Sequence, residues 1–361
     1  MSDLTKIRQE LNAIDQEIIQ LLNRRAELSL EVGKIKDKED DIIFKPFRER
    51  EILNRLVAQN PGPLPKEHLI AIYREILSSS RRLQRPQDVL FLGPEGTFCH
   101  LAGLEYLGQS VNFIPKRNIE GVFQGVIDGE GELGIIPLEN SLQGSVGQSL
   151  DLFLRYNVFI HAELYYRITH TLVSIEQDID KINIIYSHPI ALEQCGAWLK
   201  LNLPKATLIP VESTAEAARR AKITPQTAAI GNRKLANIFS LNVLATHIED
   251  LPDNWTRFLI ISAHPSEKEG KEKTSILFIL ADQPGALSRV LQIFAEAKIN
   301  LKKLESRPLP EEKWRYVFFA DLECDLNKKE YQSLIAELKK NCYLLKVLGS
   351  YPKGDHLNAR I

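Results

Sequence analysis

Residues 4–36 read LTKIRQELNAIDQEIIQLLNRRAELSLEVGKIK, and this stretch decides how the N-terminal part of the chain folds. Its apolar residues fall at Leu4, Ile7, Leu11, Ile14, Ile18, Leu21, Leu28, Val32 and Ile35, in steps of three and four. The spacing predicts one long amphipathic helix with a coiled-coil-like seam. One beat of the stripe is occupied by a cation, Arg25. A cation on a buried seam is costly unless an anion meets it. Lys36 lies about 20° around the helix from Arg25 and points the same way, whereas Arg8 sits roughly 26 Å away along the axis. A single small ligand cannot touch Arg8 and Arg25 from one straight helix. Two antiparallel copies bring Arg8 of one chain to Arg25 of the other. The pattern therefore predicts a symmetric dimer with shared anion sites.

Working outward, Pro46 suits the first turn of a second helix, and Pro65 opens a third. Polar groups lie on or beside each apolar stripe: Arg25 and Lys36, then Arg48 and Glu49, then Ser80 and Gln84. Three or four cations with one carboxylate in a helical core describe a pocket for a small dianion. By spacing alone, the charged run 48–51 and the polar run 78–82 also fit solvated faces.

The pattern changes at Val89. Short apolar runs at 89–92, 111–114, 133–136, 182–186, 207–211, 228–230 and 258–261 read as strands. Helices fit 119–127, 146–156, 190–200, 214–222 and 232–239. This is an α/β segment, 88–264, with sites expected at strand C-terminal ends and helix N-termini. Several such ends carry hydroxyls, amides and carboxylates: Thr97, then Glu139-Asn140-Ser141, Ser187 and Gln194, Glu212, and Thr256-Arg257. Singly, each is a common cap or turn; His188 before Pro189 reads as a turn residue. Residues 266–273 read as a linker. Beyond it, segment 274–351 follows a βαββαβ order, predicting a ferredoxin-like sandwich.

The chain has 361 residues with 44% hydrophobic and 26% charged side chains, so two or three globular domains are expected. A formal net charge of -1 argues against bulk binding to nucleic acid or to membrane. Cysteines 99, 195, 324 and 342 lack ligand spacing and read as reduced thiols of a cytoplasmic protein. No metal or P-loop signature is present, so no metal and no cofactor is expected.

Three resemblances follow from these strings. Residues 4–84, through Ile7-Arg8, RRAELSLEVGKIK (24–36), Pro46-Phe47-Arg48-Glu49 and Ser80 to Gln84, resemble the all-helical chorismate mutases. That resemblance implies a dimer in which the partner's arginine at position 8 and Arg25 bind the carboxylates of chorismate. It places Lys36 and Gln84 at the ether oxygen and Glu49 at the ring hydroxyl, with Arg48 and Ser80 completing the pocket. Lys45 stands where the family commonly has an acid, which alters one contact near the hydroxyl.

The strings GPEGTF (93–98), GIIPLENSLQGSV (134–146), SHPIALEQC (187–195), EST (212–214) and NWTRF (254–258) closely resemble prephenate dehydratases. The resemblance implies two α/β lobes around a cleft, like bacterial periplasmic binding proteins. It makes Thr256 essential and places Thr97, Glu139, Asn140, Ser141, Ser187, Gln194, Glu212 and Arg257 in or near the cleft, binding prephenate. Thr256 either relays a proton or orients the leaving hydroxyl, with Glu139 and Glu212 as candidate donors; the sequence does not choose among them. Pro284-Gly285-Ala286-Leu287 and Glu305-Ser306-Arg307-Pro308 resemble ACT regulatory domains, in which such loops bind L-phenylalanine. The three together imply a multidomain, bifunctional enzyme of phenylalanine biosynthesis: an isomerase (1–86), a lyase (88–264) and an ACT domain (274–351), forming a homodimer or higher homo-oligomer. The rival readings are a non-catalytic ligand sensor, or a dehydratase whose helices only dimerise.

Overall fold

The computed structural model describes residues 3–39, 42–266, 271–309 and 315–357. Residues 40–41, half of the expected linker (267–270) and residues 310–314 lie outside the described residues. The chain separates into two compact units, 1–87 with 107–112, and 88–106 with 113–361.

The first unit is three helices: α1 (Asp3–Glu39), α2 (Pro46–Gln59) and α3 (Lys66–Gln84). The C-terminal half of α1 packs on α3 at two small residues. Ser29 is buried, and a Cβ added at Gly33 would lie 2.8 Å from the Cα of Gln84, so only glycine permits this approach. Residues 3–24 of α1 are exposed throughout, including the whole seam from Leu4 to Leu21. The segment 107–112 folds against α3, where the Ser110 amide donates to Ser78 Oγ at 3.2 Å and Arg82 donates to the Ser110 carbonyl at 3.1 Å.

The second unit opens with β1 (Asp88–Leu92), α4 (Phe98–Leu107), β2 (Asn112–Lys116), α5 (Ile119–Ile127), β3 (Leu133–Asn140), β4 (Gly144–Ser145), α6 (Gly147–Arg155) and β5 (Phe159–Arg167). The chain then crosses to β6 (Thr171–Ser174), β7 (Ile184–Ser187), α7 (Pro189–Gln194), α8 (Gly196–Asn202), β8 (Thr207–Pro210), α9 (Thr214–Ile223), β9 (Thr227–Gly231), α10 (Lys234–Phe239) and β10 (Asn242–Thr246). It returns through β11 (Trp255–Ser262). The first lobe is a sheet of order β5-β11-β3-β1-β2, with β4 paired to β3; the second is β10-β6-β9-β7-β8. The two crossings are joined where the Ile168 amide donates to the Asn254 carbonyl at 2.8 Å.

A third sheet follows: β12 (Lys273–Ile279), α11 (Ala286–Glu296), β13 (Leu301–Pro308), β14 (Tyr316–Leu322), α12 (Gln332–Asn341) and β15 (Leu344–Tyr351), in antiparallel order β13-β14-β12-β15. This is the expected ferredoxin-like order. The sheet shares a core with the first lobe: Leu277, Ile279, Val317, Phe319 and Leu348 pack with Leu138, Leu150, Phe153, Leu259 and Ile261. Gly349, at φ +151, lies so close that an added Cβ would sit 2.4 Å from the Ile160 carbonyl oxygen. After β15 the chain rejoins the first sheet as β16 (Asp355–Leu357), parallel to β5.

The sequence reading extends to most of these elements but misses β4, β5, β6, β10 and β16. Strand β5 lies between β11 and a short edge strand and is buried on both faces. Its polar residues His161 and Glu163 are buried as well, so it shows no continuous apolar run of the kind that marks the other strands. The expected helix at 190–200 is two, broken between Gln194 and Gly196.

Candidate functional site

The helical unit encloses a cavity of about 410 Å³. Seven of the eight residues expected to bind there line it: Arg25, Lys36, Lys45, Arg48, Glu49, Ser80 and Gln84. Arg25 donates to Ser80 Oγ, which in turn donates to the Ile76 carbonyl at 2.8 Å, so Ser80 holds the guanidinium in place. Lys36 Nζ lies 3.3 Å from the Ile43 carbonyl. The Gln84 amide nitrogen donates to the Ser80 carbonyl at 3.2 Å, while its Oε1 is buried without a hydrogen-bond partner among the described residues. Arg48 is half exposed and pairs with Glu51.

Arg8 is the residue that does not join. It lies on the exposed half of α1, and since α1 is one continuous helix, Arg8 cannot bend back to its own chain's cavity. The sequence reading missed Arg81. That residue is buried, lines the cavity and binds Glu49, with Nε donating to Gln87 Oε1 at 3.1 Å and Nη2 to the Leu107 carbonyl. Its only sequence signal is its place four residues after Leu77, inside a run that reads as solvated.

A larger cavity, about 930 Å³, lies between the two lobes. Thr97, Asn140, Gln194, Glu212 and Thr256 line it. Thr97 Oγ1 donates to the Leu92 carbonyl at 3.0 Å at the start of α4. Asn140 and Thr256 are register partners on β3 and β11. Asn140 Oδ1 accepts from the amides of Leu142 and Gln143 at 3.0 and 3.1 Å. Its Nδ2 is thereby turned to Thr256 Oγ1 at 3.0 Å and to Asn254 Oδ1 at 2.7 Å. Since Thr256 accepts this bond, its hydroxyl proton is free for the cavity. A register shift in the β3–β11 pairing brings Pro137 and Phe258 to the same face.

Four expected residues do not line this cavity, a correction in each case. Arg257 and Glu139 lie on the opposite face of the paired strands, because side chains alternate along a strand. Glu139 is held 2.8 Å from Lys303 and 3.9 Å from Arg257. Ser187 is fully buried and donates to the Ile230 carbonyl at 2.7 Å. Ser141 pins the turn after β3, accepting from the Trp255 amide at 2.9 Å.

The sequence reading overlooked Lys116, Arg117 and His170, which do line the cavity. His170 is buried at the lobe crossing, with Nε2 2.8 Å from Gln194 Oε1 and Nδ1 unpartnered among the described residues. Burial pushes its pKa down, keeping the ring neutral near pH 7. His188 lines the cavity too, and its Nδ1 accepts from the Ile190 amide at 3.3 Å as a helix cap.

In the third sheet, Gly285, at φ +80, caps α11, which begins with Ala286 and Leu287. Glu305, Ser306 and Arg307 form part of strand β13, not the loop the resemblance implied. Glu305 accepts from Ser145 and pairs with Lys303 at 3.0 Å; Arg307 forks onto Asp151 at 2.8 and 3.0 Å; only Ser306 faces outward.

Residues 7–85 match the family described as chorismate mutase type II, 89–266 prephenate dehydratase, and 274–342 the ACT domain. A bifunctional chorismate mutase/prephenate dehydratase of Aquifex aeolicus is 42% identical over 98% of this chain and 99% of its own. One of Stutzerimonas stutzeri is 37% identical over 97% and 98%. A prephenate dehydratase of Arthrobacter aurescens, solved with L-Phe, aligns over 74% of this chain and 90% of its own at TM-score 0.68 and 33% identity. With every domain matched in order over nearly the whole length, the chain belongs to the family of bifunctional chorismate mutase/prephenate dehydratases.

Proposed function

We propose that the helical unit rearranges chorismate to prephenate and that the two-lobed unit converts prephenate to phenylpyruvate, with L-phenylalanine acting through the third sheet. The rearrangement needs no acid, base or covalent partner. Its barrier falls when the chair-like conformer is held and charge growing on the ether oxygen meets fixed donors. Arg25, fixed by Ser80, binds one carboxylate. Lys36 and Gln84 stand at the ether oxygen, and Glu49, oriented by Arg81, takes the ring hydroxyl. Arg48 and Lys45 close the pocket. The second carboxylate falls to Arg8 of a second copy. A helix whose residues 3–24 are all exposed, with an unbroken apolar seam, supports a homodimer formed along α1.

In the second reaction the ring carboxylate leaves as carbon dioxide. Its electron pair flows into the ring and expels the C4 hydroxyl, which takes up one proton and departs as water. The observation that carries this reading is the Asn140–Thr256 bond of 3.0 Å, which makes the threonine an acceptor and leaves its own proton to be donated to the leaving hydroxyl. Of the two glutamates considered, Glu139 is engaged by Lys303 and faces away, so Glu212 at the cavity rim supplies the proton. Thr97 and Gln194 bind from either lobe, and Lys116 and Arg117 offer positive charge to the carboxylates. Four unpaired cysteines, three of them buried, fit a reducing cytoplasm. Purified protein given chorismate, with no added metal or nucleotide, is expected to yield phenylpyruvate. Accumulation of prephenate alone would remove the second activity, and persistence of chorismate the first.

A further inference from the structure

Arg257 follows Thr256 on β11 and Glu139 precedes Asn140 on β3, and the strands pair Thr256 with Asn140 and Arg257 with Glu139. One pair faces the cavity; the other faces the third sheet. There Arg257 is enclosed. Its Nη1 lies 2.6 Å from Asp321 of β14, and its Nη2 lies 2.6 Å from Glu163 of β5 and 3.2 Å from the Tyr351 hydroxyl of β15. Lys273 of β12 joins both carboxylates, at 2.9 Å from Glu163 and 3.1 Å from Asp321, and Ser275 donates to Asp321 at 2.5 Å. On the other side Lys303 of β13 holds Glu139 at 2.8 Å and Glu305 at 3.0 Å. All four strands of the third sheet thus reach the back of the catalytic pair.

Arg257, Lys273, Glu163 and Asp321 are all under 7% exposed, so each charge depends on the others rather than on water. A displacement of the sheet that breaks one of these pairs leaves a bare buried charge, and the strand must follow to keep it paired. We infer that Arg257 and Glu139 are positioning residues, through which the third sheet sets the geometry of Asn140 and Thr256. They touch no substrate. This inference rests on the dehydratase reading above, and it supplies a path by which an effector at the third sheet changes turnover without entering the cavity.

Two substitutions in the full-length protein test it. Asp321→Asn keeps the volume and removes one charge from the cluster; Lys303→Gln loosens only the Glu139 side. Prephenate turnover by the parent is measured first. Both variants are then expected to lower dehydratase kcat about tenfold or more with KM within about threefold, while chorismate rearrangement holds. Amide exchange at 139–140 and 254–257 is expected to quicken in both. Parent-like kcat and exchange, or a fall in kcat matched by the loss of folded protein, overturns the inference. A parent inert toward prephenate removes the dehydratase reading instead, and the exchange measurement then decides the coupling alone. Should Asp321→Asn fail to fold, Lys303→Gln carries the test by itself.

Discussion

Asn140 Nδ2 and Thr256 Oγ1 stand 3.0 Å apart across β3 and β11, and the amide is locked because its oxygen already accepts two backbone protons. The threonine thus accepts from the amide, and its own proton is left over. Thr256→Ala is expected to lower dehydratase kcat by about 10²-fold or more, the scale of losing one placed donor, with prephenate still bound. Thr256→Ser should restore much of it. Asn140→Ala should fall between the two, and none of the three should alter mutase turnover. Steady-state kinetics on both substrates reads all of this, and full activity in Thr256→Ala would remove the hydroxyl from the mechanism.

Gln84 sits in the helical cavity with its amide and no titrating group of its own. An amide donates at any pH, so mutase activity is expected to persist at alkaline pH. Gln84→Glu donates to the ether oxygen only while its carboxyl is protonated. Its activity should therefore be present in acid and fall as pH rises through that group's pKa, by about 10²-fold. A pH profile unchanged from the parent would place Gln84 away from the ether oxygen.

The separation of Arg8 from Arg25 along a continuous α1 gives a test of shared sites. Arg8→Ala and Arg25→Ala should each abolish most mutase activity. In a mixed dimer one site keeps both arginines and the other loses both. An equimolar mixture, refolded or exchanged together, should regain about a quarter of the parent's sites. No recovery would mean that each site is built within one chain.

His161 is buried on β5, with Nε2 donating to the His264 carbonyl at 2.7 Å and Nδ1 without a partner among the described residues. Burial pushes its pKa from 6.5 down to about 4. The unfolded chain therefore binds this proton first as pH falls. The stability His161 contributes is complete above pH 6.5 and is lost as pH drops toward 4, amounting to about 3 kcal/mol. His161→Gln, which retains a donor for the carbonyl, should flatten the fall of the urea midpoint over that range. Burial lowers His100 and His170 in the same direction, so part of the slope should remain.

The helical site was largely legible in the sequence, because a helix turns sequence spacing into spatial adjacency. Arg25, Lys36, Glu49, Ser80 and Gln84 converge as their faces require. Arg81 was not legible: a guanidinium in the run 78–82 looks solvated until segment 107–112 folds over it. In the two-lobed unit the motifs marked the right strand ends, yet a motif does not say which way each side chain points. Thr256-Arg257 and Glu139-Asn140 each straddle a strand, so half of each pair turns away from the cavity.

The sequence by itself determined the order of the helical, α/β and βαββαβ segments, the amphipathic seam of α1 and the chemistry of the residues at each strand end. These depend on local periodicity and on the intrinsic preferences of side chains. Only the tertiary structure decided that Arg257 and Glu139 pair with the third sheet, that β5 joins the first lobe beside β11, and that the chain returns as β16 to flank it. Glu163, Arg257, Lys273 and Asp321 come from four distant strands, and a buried charge is tolerable only beside its counter-charge. That pairing exists only after the chain has closed on itself, and so no single stretch of it carries the information.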